Sequence, residues 1–230
     1  VLLFLAAAFT AGCEKGAARD PVALQPAKTA LMDGAAYSSS GDAVKLAESL
    51  KNRGATDDAL AVLQEAHRRF PEDTKILSAY GRLALIIGKD ALASSLLEKA
   101  VNADPDDWRA LSAKAVLDRR QGRLEAAHRA LLRADTLSGG HPAVINNLGM
   151  SYLLSGDVER AETQFRKALI APGLNPSYRG RLKQNLAVAL AVKGEFDAAD
   201  QVAGEAMPRK LKNAKGKEIA AYMGLGGNTI

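Results

Sequence analysis

Leu148-Gly149-Met150-Ser151-Tyr152-Leu153-Leu154-Ser155-Gly156-Asp157-Val158-Glu159-Arg160-Ala161 is the stretch from which the rest of the chain can be read. Counting back 34 residues at a time, Gly156 meets Gly122, Gly88 and Gly54, and Ala161 meets Ala127, Ala93 and Ala59. Behind Leu148 stand Lys114, Tyr80 and Leu46, and behind Gly149 stand Ala115, Gly81 and Ala47. Further along each unit comes a large residue (Leu63, Leu97, Leu131, Phe165), then alanine (Ala66, Ala100, Ala134, Ala168). Small residues facing large ones at helical spacing predict two antiparallel helices in close contact. Each glycine falls between them, where a left-handed residue closes the first helix. Asp57, Asp58, Asp90, Glu125, Asp157 and Glu159 follow the glycines and suit the positive end of the second helix. Pro71 and Pro105 sit where a helix cannot continue. On this reading a bulky residue at Gly88 or Ala93 has no room.

A helix-turn-helix unit with this period resembles the tetratricopeptide repeat, whose units bury their apolar sides only against one another. The resemblance implies an all-α solenoid of about five units over residues 41–207. The fifth unit carries Leu186, Ala187, Gly194, Ala199 and Ala206, each 38 residues beyond its counterpart. Its four extra residues are read as a lengthened loop at 171–176, which is rich in proline and glycine. Lys114 and Asp118 replace apolar residues in the third unit, so its first helix is expected to pack less well or to lie near solvent. Ala203 stands in the fifth unit where the others carry a large side chain. A 230-residue chain that is 47% apolar, 25% charged and only 5% aromatic suits one elongated core of thin helix-on-helix packing.

Residues 1–12 are uncharged and nearly all apolar, too short to span a bilayer, and match the middle of a secretory signal whose basic start is missing. Thr10-Ala11-Gly12-Cys13 resembles a bacterial lipobox, with Thr10 at the usual leucine position. That resemblance implies acylation of Cys13, the chain's one cysteine, as the lipid attachment. Glu14, rather than aspartate, tilts the anchor towards the periplasmic face of the outer membrane. Residues 13–40 then form the acylated cysteine and a flexible tether, with Pro21, Pro26, Gly34 and Ser38 to Ser40. Residues 208–230 form a basic tail long enough for a closing helix at 218–223.

Chemistry is hard to find. His67, His128 and His141 are isolated, and none belongs to a paired metal-binding motif. Gly149 to Leu153 lacks the second glycine of a nucleophile elbow. The sequence therefore predicts a non-enzyme with no catalytic residues, metal or cofactor. A net charge of +5 and a pI near 9.3 favour acidic lipids or an acidic partner, and the periplasmic setting disfavours nucleic acid. The runs His67-Arg68-Arg69, Arg119-Arg120 and Arg179 to Lys183 read as solvated helix ends.

Partner binding is expected on the concave face, lined by the first helix of each unit. By register that face includes Lys75, Arg82, Arg109, Asn146, Asn147, Met150, Arg181, Gln184 and Asn185. Asparagine is a mediocre helix former, so its recurrence before Leu148 and Leu186 needs a reason. It either meets a partner or tidies packing between units; the sequence leaves both open.

Two segments narrow the likeness. Asn146 to Glu162 and Arg181 to Ala199, the second opening Arg181-Leu182-Lys183-Gln184-Asn185-Leu186-Ala187, resemble the tight-adherence (Tad, Flp-type) pilus assembly lipoproteins. In that family a lipobox precedes several repeats, and an arginine followed after two variable residues by glutamine-asparagine-leucine-alanine opens a longer-spaced last unit. The resemblance implies a pilotin-like role, with a pilus secretin or assembly protein as partner and a lipid anchor on the membrane. A second class is a periplasmic scaffold for outer-membrane protein assembly or peptidoglycan synthesis, and a third is an enzyme accessory that binds glycan through its basic face.

Overall fold

The structure, a computed structural model, describes residues 37–204. The signal segment 1–12, Cys13, the tether up to residue 36, Ala206 and the tail 208–230 lie outside the described residues.

Among the described residues ten helices form five antiparallel pairs: α1 (Ser40–Asn52) with α2 (Thr56–Arg69), α3 (Thr74–Ile86) with α4 (Asp90–Ala103), α5 (Trp108–Arg120) with α6 (Leu124–Ser138), α7 (Pro142–Leu154) with α8 (Val158–Leu169), and α9 (Pro176–Lys193) with α10 (Phe196–Ala203). First helices touch from unit to unit (α1 on α3, α3 on α5, α5 on α7, α7 on α9), whereas second helices pack chiefly on the first helices flanking them. That asymmetry bends the stack and leaves the first helices on its inner side. Among the described residues no helix is long and apolar enough to cross a membrane.

The side chains before the first helices explain why those helices start where they do. Ser39, Asp73, Asp107, His141 and Asn175 each accept a backbone N–H from the first turn of α1, α3, α5, α7 and α9. Such caps are worth about 1 kcal/mol each. The turns between paired helices rest on glycine. Gly54, Gly88, Gly122, Gly156 and Gly194 have φ of 82°, 75°, 78°, 82° and 86°. A Cβ on Gly88 would meet nothing within 4 Å, so conformation, not lack of room, demands glycine there. Ala93, by contrast, is wholly buried.

The glycines without room lie inside first helices. A Cβ on Gly81 would stand 2.7 Å from Leu97 Cγ, and one on Gly149 2.6 Å from Phe165 Cε1. These are the small and large columns of the sequence meeting face to face. Ala59, Ala93, Ala127, Ala161 and Ala199 are all buried, as are Leu63, Leu97, Leu131 and Phe165.

Three local readings change. The four extra residues of the fifth unit are taken up mainly as an added first turn of α9, which has 18 residues where the other first helices have 13. Pro176 at its start and the Asn175 cap make that turn favourable. Tyr37, assigned by composition to the tether, is buried with the Arg69 guanidinium 5.1 Å from its ring centre. In the third unit α5 does not drift to solvent. Asp118 is 2% exposed, and its two oxygens accept from Lys114 Nζ at 2.9 Å and Arg123 Nε at 3.1 Å. The substituted pair is thus self-satisfying: Lys114 lies one turn before Asp118, and Arg123 reaches back across the glycine turn.

Candidate functional site

An open groove of about 510 Å³ runs along the inner side of the first three units. Its walls are α1, α3 and the start of α5, and Lys75, Arg82, Trp108 and Arg109 line it. Asp73 and Asp107 cap α3 and α5, which fixes the first turns carrying Lys75, Trp108 and Arg109.

Trp108 organises the middle of this surface. The Arg109 guanidinium lies 4.3 Å from the indole centre, and the His141 ring lies 4.6 Å away at a 35° tilt. His141 Nδ1 accepts from Ala143 N at 3.2 Å, so that nitrogen carries no proton in this arrangement. Burial first, then the Arg109 and Arg82 charges, push the imidazole below its ordinary value. Arg82 pairs with Glu48 at 3.2 Å. Asp104 and Asp107 are occupied with backbone N–H groups, and Asp106 pairs with Arg133 at 2.7 Å. Among the described residues no carboxylate pairs with Lys75 or Arg109. The groove thus presents Lys75 and Arg109 around an indole, with the carboxylates of Glu48, Asp104, Asp106 and Asp107 in the same lining, a mixed-charge surface for the hydrogen-bonding groups of a polypeptide.

The sequence-derived site residues divide into two groups. Lys75, Arg82 and Arg109 share this groove. The asparagines lie further along and bond between units. Asn146 is 7% exposed and its amide oxygen accepts from Asn185 Nδ2 at 2.7 Å, while Asn147 Nδ2 donates to Ser112 Oγ at 3.0 Å. Of the two readings left open for them, packing between units is the one with hydrogen bonds in the structure. Met150 is half-buried, and Arg181 and Gln184 are exposed on α9.

Trp108, Ser78 and Arg119 were missed. Trp108, the single tryptophan, occupies the first position of α5 beside Arg109, a visible signal. Ser78 lies one turn after Lys75, and its buried hydroxyl has no hydrogen-bond partner among the described residues. Arg119 reads in sequence as part of a solvated helix end, yet it is half-buried with its Nη1 enclosed and, among the described residues, unpaired. A second hollow of about 470 Å³ lies beyond His141, between Pro142, Leu174, Asn175 and Tyr178. Tyr178 donates its hydroxyl to Pro142 O at 3.2 Å, and burial pushes its pKa up to about 12.

Known proteins agree with this architecture. Tetratricopeptide-repeat family models match residues 52–117, 112–178 and 147–225. The TPR repeat-containing protein YpiA of Bacillus subtilis is 25% identical over 146 residues, 64% of this chain and 34% of that protein. The TPR repeat-containing protein PA4667 of Pseudomonas aeruginosa is 29% identical over 124 residues, 54% of this chain and 21% of that one. The chain therefore spans about a third or less of the length of these relatives. Among solved structures, Pseudomonas aeruginosa pilF is 22% identical with a TM-score of 0.57, covering 86% of both chains. A thermophilic TPR protein of Thermus thermophilus, TTC0263, is 20% identical with a TM-score of 0.61, covering 81% of this chain and 98% of that one. These likenesses concern the fold.

Proposed function

The chain belongs to the tetratricopeptide-repeat proteins, and on that premise we propose that it is a scaffold of the Tad/Flp pilus secretion machine. It works at the periplasmic face of the outer membrane, held by lipid on Cys13, in a pilotin-like role. Its concave surface receives a segment of the secretin or of another assembly component. The observation that carries the binding half of this reading is the groove around Trp108, where Lys75 and Arg109 stand without carboxylate partners among the described residues. The pilus half rests on the sequence from Arg181 to Ala187 opening a unit displaced by four residues, as in the tight-adherence lipoproteins. No catalytic step is assigned: the chain binds and positions.

The test extracts the full-length protein from its native membranes and identifies what co-purifies. A pilus secretin or assembly component is expected, and it disappears when Lys75→Glu and Arg109→Glu are introduced together. Outer-membrane assembly or cell-wall proteins without a secretin would move the scaffold to another envelope machine. In parallel, Cys13→Ser is expected to release the protein into the soluble periplasm; recovery in the membrane fraction would contradict the anchor.

A further inference from the structure

The joint between the fourth and fifth units inverts the pattern of the others. Ile170, directly after α8, is 83% exposed where the earlier units carry Arg68, Asn102 and Thr136. Lys183 is exposed on α9 where the earlier units carry Ala43, Leu77, Leu111 and Ile145, all of them buried. The end of a repeat stack presents polar residues to water, which accounts for Lys183 but not for Ile170.

Charge sharpens the contrast. Residues 37–162 are balanced to within one charge, whereas the 32 residues from Thr163 to Gly194 hold six cations and no aspartate or glutamate. One of the six, Lys193, lies at the far end of α9 between Glu162 and Glu195. The other five, Arg166, Lys167, Arg179, Arg181 and Lys183, are exposed in the last turn of α8 and the first turns of α9. Arg179 donates to Leu169 O at 3.0 Å, which brings those turns together beside Ile170.

The acids of the surrounding elements do not cancel these cations. Helix α7 carries no aspartate, glutamate, lysine or arginine. Glu162 of α8 takes Arg166 at 2.9 Å as well as Lys193, and Asp135 of α6 lies 3.9 Å from Lys167. On α10, Asp197 sits in the first turn, at the Lys193 end, and Asp200 is exposed. Even with Asp200 counted, three carboxylates stand against five cations. Among the described residues no carboxylate pairs with Arg179, Arg181 or Lys183.

We propose that this joint is a docking surface for an anionic lipid bilayer, with Ile170 entering the headgroup layer and Arg166, Arg179, Arg181 and Lys183 meeting lipid phosphates around it. Clustered cations are drawn to the negative potential of such a surface, and an apolar side chain among them adds insertion. Lipid phosphates move in the plane of the bilayer, so they meet guanidinium and ammonium groups spread over two helices without a preformed cleft. The joint would then lay the fifth unit against the bilayer and set the direction in which the stack projects from it. This goes beyond the lipid on Cys13 and the pilus partner, and depends on neither.

Co-sedimentation of the full-length Cys13→Ser protein, which carries no acyl chain, with lipid vesicles tests this. Phosphatidylcholine vesicles set the baseline, including any contribution of residues 1–12. Vesicles mixing phosphatidylglycerol with phosphatidylcholine should bind about tenfold or more tightly at about 0.1 M salt and lose that preference near about 0.5 M. Arg181→Glu with Lys183→Glu should abolish the preference, and Ile170→Ser should weaken binding to the mixed vesicles about threefold or more. These are surface substitutions, so the melting temperature should stay near that of the parent. Lys75→Glu with Arg109→Glu makes the same change in net charge on the inner surface and should leave the preference in place.

No preference for phosphatidylglycerol, a preference that survives Arg181→Glu with Lys183→Glu, or an equal loss in the inner-surface variant would overturn the inference. So would Ile170→Ser binding as tightly as the parent. Capture of polyglutamate through the same cations, without a lipid preference, would overturn it in favour of an acidic protein partner. The assay contains no partner protein, so its outcome is separate from whether a secretin co-purifies.

Discussion

The third and fourth units share one register and fill it differently. The fourth places Leu148 and Tyr152 where the third has Lys114 and Asp118, and sets Gly149 against Phe165 where the third has Ala115 and Leu131. Yet both are packed: Leu148 and Asp118 are each 2% exposed. The register therefore demands that a site be filled and its polar atoms satisfied, rather than that it be apolar. In the fourth unit volume is traded between facing positions, glycine yielding to phenylalanine. In the third, charge is traded within a short loop of chain.

The sharpest way to break this comparison is to strip the third unit of its cations. Lys114→Met with Arg123→Met leaves Asp118 buried and unpaired, and should lower stability by about 3 kcal/mol. Adding Asp118→Leu should return stability to within about 1 kcal/mol of the starting protein, because apolar replacement of a buried pair is often neutral. Urea unfolding of the three forms reads both effects, and a double variant as stable as the parent would contradict the account.

Next comes the steric trade in the fourth unit. Gly149→Ala should cost about 2 kcal/mol by forcing Phe165 aside. Phe165→Leu in that background should recover much of the loss, since it recreates the Ala115 and Leu131 pair of the third unit. Calorimetry on the single and double variants decides it; a larger loss in the double would show that the facing positions are not exchanged as pairs.

Smaller effects test the joints on either side of the fourth unit. Tyr178→Phe removes the hydroxyl that reaches Pro142 O from α9 and should cost about 1 kcal/mol. His141 joins the third unit to the fourth through Trp108. Its folded-state pKa lies below the unfolded value of about 6.5, so the unfolded chain binds more protons below that pH. The stabilisation is fully present above about pH 6.5 and is lost as pH falls through the folded pKa. His141→Asn keeps a capping oxygen and should flatten that slope; thermal melts across the acid range give the answer.

Most of the fold is legible in the columns, because glycine at a left-handed turn and alanine at a close helix contact have few substitutes. Less legible is anything that depends on a partner off the repeat. Asp118 reads as a defect until Arg123, five residues on, is seen reaching back across the turn. Asn146 and Asn185 are 39 residues apart, so their bond appears only once the displaced fifth unit is placed. Composition puts Tyr37 in the tether because nothing local marks its contact with Arg69. At the candidate site Lys75, Arg82 and Arg109 follow from register, while the enclosure of Arg119 depends on side-chain direction that no column records.

The central claim is that the inner surface, not the outer one, meets the partner. A photo-crosslinking residue at Lys75 in the full-length protein in its native cells, compared with one at Arg129 on α6, tests it most directly. The account predicts a single adduct with a pilus secretin or assembly component from position 75 and none from position 129. The same adduct from position 129, with position 75 silent, would contradict it.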